Sequence, residues 1–252
     1  MLIRKLSALC VIMLMLCLPV ASFAAESVDP VLAQWTHESR AADKDGDQSV
    51  RVRATYYSND YVEALVASEA EKNLWTADEM ENYKYTLLKN LNLGECIPFH
   101  VAINVQGLPM YAGPFDKHIT MMVGKNKYQP VDYDKRFNFK IQGSRDGMVF
   151  FPRYDPKTGK ELLAGARDVR LVLDSAISVA MAPRGDFMWV WDLTKDRPQI
   201  GGGKAANRLE VDRLLKRNEK LNADREALRK QLEALDKEAG EINTRIDELQ
   251  SE

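Results

Sequence analysis

The chain has 252 residues, of which 45% are hydrophobic and 29% are charged, and its formal net charge is −2 at pH 7. This length suits one ordinary domain with an appendage, and the hydrophobic content is typical of a protein with a packed core. The slightly acidic balance argues against a polyanion-binding protein, so nucleic acid is not an expected partner.

The first 24 residues have the pattern of a secretory signal peptide. A basic start precedes an apolar run at residues 6–20, and Ser22 and Ala24 occupy the −3 and −1 positions of a small-residue cleavage site. The run is shorter than the roughly 20 residues of a membrane span. We therefore expect residues 1–24 to be removed and the mature protein to be exported, to the periplasm or outside the cell, without spanning a membrane. An uncleaved anchor is the alternative.

Cleavage would make the mature chain more acidic. It would remove two of the 35 basic residues and no acidic residue, which leaves 33 basic and 37 acidic side chains. Cys10 and Cys17 would leave with the signal peptide, so Cys96 would be the single cysteine. A single thiol excludes an intramolecular disulfide, and we expect Cys96 to be a small buried apolar group.

The first part of the globular region, which we place at residues 25–200, mixes helices with one strand. A short helix is predicted over residues 30–42, with Asp29 as its N-cap. Alternation of apolar and polar residues from position 50 to position 56 predicts a strand. Two helices are expected between about residues 60 and 92, and the second begins with a capping box that opens at Thr76.

An acidic cluster precedes the first strand. Asp43, Asp45 and Asp47 have the spacing of the first, third and fifth ligands in an EF-hand calcium loop. The sixth position lacks glycine and the twelfth lacks the closing glutamate, so another segment would have to complete the ligand shell. A polar turn is the simpler interpretation, and we expect no metal or cofactor.

The β-rich part extends over about residues 97–193. Short segments in which apolar residues alternate with polar or small ones are separated by turn signals. The segments lie near residues 97–105, 119–123, 137–141, 148–152, 169–173, 177–181 and 187–191. This spacing predicts an antiparallel β-sandwich-like domain or an open barrel of about 100 residues. Tyr128, Tyr133 and Tyr154 lie near the turns and are candidates for an exposed recognition surface.

No catalytic motif is evident. Cys96, His100 and His118 are the residues from which a zinc site could be imagined. Four residues of strand separate Cys96 from His100 by about 13 Å, which is beyond one metal shell. We therefore expect neither a metal site nor a cysteine nucleophile there.

A glycine-rich joint is predicted at residues 201–207, where three consecutive glycines resist both helix and strand. The spacing does not match a phosphate-binding loop, because the first glycine and the hydroxyl residue after the lysine are missing. The joint would let the globular region swing relative to the C-terminal segment.

The C-terminal segment carries a heptad repeat over residues 208–250. Apolar residues occupy most of its a and d positions, which form one narrow stripe on a helix. The a and d residues that define this seam are Val211, Leu214, Asn218, Leu221, Arg225, Leu228, Leu232, Leu235, Ile242, Ile246 and Leu249. A helix with only such a stripe apolar is not stable alone in water, so it needs a partner.

We expect the partner to be a second copy, in a parallel homodimeric coiled coil about 64 Å long. Asn218 at an a position can hydrogen-bond to its copy across a parallel dimer, and Arg225 at the next a position can extend its guanidinium to solvent. Asp224 at g would face Arg229 at e of the partner helix. The alternatives are a trimer, a helix folded back on its own head, and an adaptor for a different exported protein.

The sequence thus predicts an α+β protein with a small helical N-terminal part, an antiparallel β-sandwich-like domain and a C-terminal coiled-coil helix. The favoured function is non-enzymatic: a β-rich head that binds an exported protein or a cell-envelope ligand and is oligomerised by the coil. The alternative is an exported hydrolase or metal-dependent enzyme whose site is assembled from scattered carboxylates.

Overall fold

A computed structural model of the protein describes residues 29–155, 158–197 and 203–251. The predicted signal peptide and the first two glycines of the predicted joint lie outside these residues. The described chain is an α+β protein with two antiparallel sheets and a long C-terminal helix, which confirms the fold class at that level. Among the described helices, none is both long enough and apolar enough to cross a membrane.

The described residues form four α-helices and nine strands. The helices are α1 (Pro30–Gln34), α2 (Asn59–Asn73), α3 (Ala77–Asn90) and α4 (Lys204–Ser251). The strands are β1 (Thr36–Ala42), β2 (Ser49–Tyr56), β3 (Cys96–Tyr111), β4 (Ile119–Val123), β5 (Asn126–Tyr128), β6 (Asp132–Tyr133), β7 (Lys140–Pro152), β8 (Asp168–Leu173) and β9 (Phe187–Asp192). Sheet A has the strand order β1-β2-β3-β7-β6, and sheet B has the order β5-β4-β8-β9.

Both sheets contribute to one hydrophobic core. The inward residues of β2, β3 and β7 in sheet A belong to the same buried cluster as those of β4, β8 and β9 in sheet B. Trp191 of β9 lies at the centre of an aromatic group, with ring centroids 5.2 Å from Phe99 and 6.1 Å from Tyr56. Its indole Nε1 donates a hydrogen bond to the carbonyl of Trp35 at 2.9 Å, so the buried polar atom is satisfied.

The helix predicted over residues 30–42 is correct only in its first turn. Asp29 caps α1 by accepting the N–H of Val31 at 2.8 Å. The chain then leaves the helix, and β1 pairs along its whole length with β2. The ladder with β2 outweighs the helix propensity of the glutamate, arginine and alanines in this segment, as tertiary context commonly does.

The strand predicted near residues 177–181 is also wrong. The segment forms two single-turn 3₁₀ helices, Ser175–Ile177 and Val179–Met181. The carboxylate of Asp174 accepts the N–H of Ala176 at 2.8 Å and starts the first turn, so the local capping bond replaces a sheet ladder. Phe137 likewise belongs to a 3₁₀ turn rather than to the strand expected there.

The two helices predicted before the β-rich part are confirmed as a helical hairpin. Thr76 and Glu79 form the expected capping box at the start of α3. The hairpin packs around a second, smaller cluster of buried residues: Val62, Val66, Leu88, Leu91 and Leu93. A buried ion pair joins the helices, with Lys84 Nζ 2.7 Å from Glu63 Oε1.

Candidate functional site

Helix α4 is attached to the head by its first turns. Ala205 is buried, and its N–H donates to Glu81 Oε2 of α3 at 2.8 Å, which satisfies one of the free amides at the start of α4. Leu209 packs against the second cluster. The helix therefore begins at Lys204, so residues 204–207 of the predicted joint are helical because α3 supplies both a cap and an apolar contact.

Polar contacts extend this attachment. The hydroxyl of Tyr85 on α3 donates to Asp212 Oδ2 at 2.6 Å, and this hydrogen bond raises the pKa of Tyr85. The guanidinium of Arg208 lies 4.1 Å from the centroid of the Tyr85 ring. The stem of Arg213 lies against Gly94, where an added Cβ would come within 3.3 Å of Arg213 Cδ. Glycine at position 94 thus permits the close approach of α4 to the turn after α3.

The residues that attach α4 share one side of the helix. We call Ala205, Leu209, Asp212 and Arg213 the docking face; their spacings of four, three and one place them together at 3.6 residues per turn. Val211 and Leu214, the first two seam residues, project from the opposite side, and each is 53% exposed. Attachment to the head therefore leaves the seam uncovered even where α4 touches α3.

Beyond the docking face, α4 leaves the head. All described residues from 214 to 251 are exposed. The exposed fraction of the apolar seam residues runs from 44% at Ile246 to 65% at Leu228. The alternative of a helix folded back along its own head does not occur in the structure. The apolar stripe of α4 is therefore exposed along the part of the helix that extends beyond the docking face.

A polar groove of about 490 Å³ lies on the outer face of sheet A. The small side chain of Ala102 lies among its lining residues, and the polar side chains around it pair with one another. His100 Nε2 lies 3.0 Å from Asp146 Oδ2, and Asn104 donates to Ser144 Oγ at 2.6 Å. The groove is also lined by Glu38, Arg51, Arg53, Gln106 and Arg145. Such a surface offers hydrogen bonds to a polar ligand.

The acidic cluster considered as a calcium site is a turn. Asp43, Asp45 and Asp47 belong to the connection between β1 and β2, where Gly46 takes a φ of +79°. Asp43 organises this turn, since its Oδ1 accepts the N–H of Gln48 at 3.1 Å. In the part of the chain that the structure describes, no group of three or more His, Cys, Asp or Glu residues could hold a metal ion.

The structure does not bring Cys96, His100 and His118 together. Cys96 is buried, and the side-chain amide of Asn92 donates to its Sγ at 3.3 Å. Burial raises the pKa of the Cys96 thiol, which disfavours the thiolate needed for metal binding or nucleophilic attack. His100 pairs with Asp146 on sheet A, whereas His118 lies beside Asp174 near the start of β4, with Nδ1 and Oδ2 3.6 Å apart.

The expected recognition surface of exposed tyrosines is wrong for two of its members. Tyr128 and Tyr133 are half-buried and pack against the main core. The hydroxyl of Tyr133 donates toward Asp116 and Asn138, each at 3.1 Å. Tyr154 forms an isolated bridge with Glu161. The packing of Tyr128 and Tyr133 makes these two side chains part of the scaffold rather than a free surface.

Comparison of the chain with protein-family models, with curated protein sequences and with solved structures gave no match.

Proposed function

We propose that this chain is an exported, non-enzymatic protein whose β-rich head is held in two copies by a parallel coiled coil of α4. The single observation that carries the proposal is the placement of the seam on the side of α4 opposite the docking face. One helix can then bind its own head and a second helix at the same time. In this arrangement the first turns of α4 bind the head, and the rest of the helix binds its copy.

The sequence of α4 suits a second copy as the occupant of the seam. Five of its six d positions are leucine, and Asn218 would hydrogen-bond to its copy across a parallel dimer. Asp224 at g faces Arg229 at e of the partner in this arrangement, and no pair of g and e residues brings like charges together. The apolar pattern and the charge pattern therefore favour the same register.

A parallel pair places both heads at the same end of the coil, because each head is attached to the first turns of its α4. Two weak contacts made by linked heads gain avidity through their high effective concentration. We assign the polar groove of sheet A as the binding surface of the head, and we infer that sheets A and B form a sandwich that holds it rigid. The partner would be a polar group of an exported protein or of the cell envelope.

Disulfide trapping tests the arrangement. Leu249→Cys at a d position, in a chain whose Cys10, Cys17 and Cys96 are changed to Ala, should form a cross-linked dimer on mild oxidation. Facing d residues of a parallel coil lie within the roughly 4.4–6.8 Å that a disulfide spans between Cα atoms. Denaturing electrophoresis without reductant measures the yield.

The matched control is Thr244→Cys in the same background. Thr244 lies on the face of α4 away from the seam and bonds only to the carbonyl of Gly240 within its own helix, at 2.9 Å. Under the same oxidation it should form no cross-link and should run as a single chain on the denaturing gel. Equal cross-linking at both positions, or none at position 249, would contradict a parallel pair.

A hydrolase is the second candidate, and the His100–Asp146 pair in the polar groove is the observation that favours it. A carboxylate that orients a histidine is a common arrangement for a general base. The test is hydrolysis of simple chromogenic esters, glycosides and phosphate esters by the purified protein. Activity that His100→Gln abolishes would establish this candidate in place of the binding head.

A further inference from the structure

A second concave surface lies where the end of α3 meets α4. It is a cavity of about 360 Å³ lined by five basic and two acidic residues, a net charge of +3 in a chain whose net charge is −2. We call it the basic cavity. Its charged lining residues are Lys89, Glu95, Asp212, Arg213, Lys216, Arg217 and Lys220.

Part of this charge is already neutralised. Arg213 makes a bidentate ion pair with Glu210, with nitrogen–oxygen distances of 2.7 and 2.8 Å. Asp212 accepts the hydroxyl of Tyr85 and so supports the attachment of α4. These two lining residues are engaged in holding the helix in place.

The remaining cations have no such engagement. Within the described residues, Lys216, Arg217 and Lys220 make no ion pair, although they lie within two turns of one another on α4. Lys89 adds a fourth positive charge from α3, and its Nζ lies 5.9 Å from the centroid of the Tyr85 ring. Four cations from two helices thus surround one concavity that is lined by two carboxylates, Glu95 and the Tyr85-bonded Asp212, so positive charge is in excess.

The carbonyl groups at the end of α3 add little negative charge to the cavity. Its last carbonyls accept backbone N–H groups: the carbonyl of Leu87 accepts from Leu91, that of Lys89 from Asn92, and that of Leu88 from Leu93. The negative end of the helix dipole is therefore largely satisfied within the turn that follows. An anion entering the cavity would meet cations rather than free carbonyls.

We propose that the basic cavity binds a ligand that carries a phosphate group. A phosphate presents up to two negative charges and several acceptor oxygens to the lysines and the guanidinium fork, whereas a carboxylate presents one charge. The cavity is larger than a phosphate, so an organic group attached to it would lie on Leu209 and on the aliphatic stems of the basic side chains. The phosphate could belong to a soluble phosphate ester or to the headgroup of an anionic lipid.

This site does not depend on the pairing of α4. Its lysines lie on or beside the docking side of the helix, and its ligand contacts are complete within one chain. Loss of the seam by substitution would leave the cavity in place. Failure of the dimer and failure of the phosphate site are therefore separate results.

Binding of two probes to the full protein tests the proposal. Calorimetric titration with glycerol 3-phosphate measures the soluble ester, and co-sedimentation with phosphatidylglycerol vesicles, compared with phosphatidylcholine vesicles, measures the headgroup. The variant Lys216→Gln/Lys220→Gln should weaken the binding that is observed by at least about tenfold, because two charge-assisted contacts are lost. The matched control is Lys230→Gln/Lys237→Gln, which removes the same charge from exposed positions farther along α4.

If the protein binds glycerol 3-phosphate but not the phosphatidylglycerol vesicles, the ligand is a soluble phosphate ester. If it binds the phosphatidylglycerol vesicles but not glycerol 3-phosphate, the ligand is a lipid headgroup. Either result supports the site when the cavity variant loses binding and the control variant does not. Equal loss in the two variants would show a nonspecific charge effect and overturn the proposal. Absence of binding to either probe at millimolar phosphate would overturn it as well.

Discussion

The head buries its apolar residues, whereas the distal part of α4 leaves its apolar residues exposed. In the head, the alternating apolar residues of two sheets meet in one core, and many of them are fully buried. In α4, an equally regular repeat from residue 214 onward remains exposed. The head therefore closes its core within one chain, whereas α4 presents an apolar stripe that its own chain leaves exposed.

The largest expected effect is on the proposed pairing of α4. Leu221→Ala with Leu228→Ala would remove four seam leucines from the proposed dimer, at roughly 1.5 kcal/mol each, or about 6 kcal/mol in total. The variant should lose helix content on dilution while the head stays folded. Circular dichroism at 222 nm across a concentration series measures this, and Lys230→Ala, away from the seam, is the control. Retained, concentration-independent helicity would show that α4 needs no partner.

The next effect is on the core of the head. Trp191→Ala should lower the free energy of unfolding by about 3–5 kcal/mol, because it leaves a large cavity and removes the hydrogen bond to the Trp35 carbonyl. Denaturant unfolding followed by fluorescence measures the loss. Met188→Ala on the exposed side of the same strand should change stability by less than about 0.5 kcal/mol. Similar losses in the two variants would contradict the assignment of the core.

The head and α4 should also differ in how much stability is lost when an ion pair is broken. Glu63→Gln takes the carboxylate from buried Lys84 and should cost about 3 kcal/mol of stability. Glu233→Gln breaks the exposed pair with Arg229 on α4 and should cost under about 0.5 kcal/mol. Thermal unfolding of both variants at the same protein concentration makes the comparison. A large effect at Glu233 would indicate that this face of α4 is buried in the assembly.

The smallest expected effect concerns pH. Burial raises the pKa of Asp196, although its carboxylate accepts the N–H groups of Asp60 and Asn59 at the start of α2. With a raised pKa, the folded state binds more protons than the unfolded state above the ordinary pKa of aspartate, about 3.9. Stability from this group is therefore present at low pH and is lost as the pH rises through the folded pKa.

The Asp196→Asn variant isolates that contribution. Its side chain cannot ionise, so the stability of the unsubstituted protein relative to the variant should fall as the pH rises from about 4 toward neutrality. Denaturant unfolding of both proteins at several pH values measures the difference. A difference that grows with pH would show that the backbone hydrogen bonds outweigh burial at this site.

Much of the fold could be predicted because local signals and tertiary contacts agree. The capping box at Thr76 and the apolar alternation of β2, β3, β8 and β9 all correspond to elements in the structure. The prediction failed where a neighbouring strand or a side-chain cap decides the conformation. β1 is a strand only because β2 lies beside it, and the segment after Asp174 turns because a side chain caps it.

The role of the heptad positions in pairing stays a prediction. The structure shows that the apolar residues at these positions are exposed. The docking face was missed because Ala205 and Asp212 fall outside the a and d positions and depend on Glu81 and Tyr85, more than 100 residues earlier in the chain. The basic cavity was missed for the same reason, since Lys89 and Lys216 come together only through that docking.

The most direct test of the proposed pairing of α4 is sedimentation equilibrium of the purified protein at tens of micromolar. The predicted result is one species with twice the mass of a single chain. A single-chain mass at that concentration would contradict the claim that the exposed seam is buried against a second copy, and a mass of three chains would contradict the dimer.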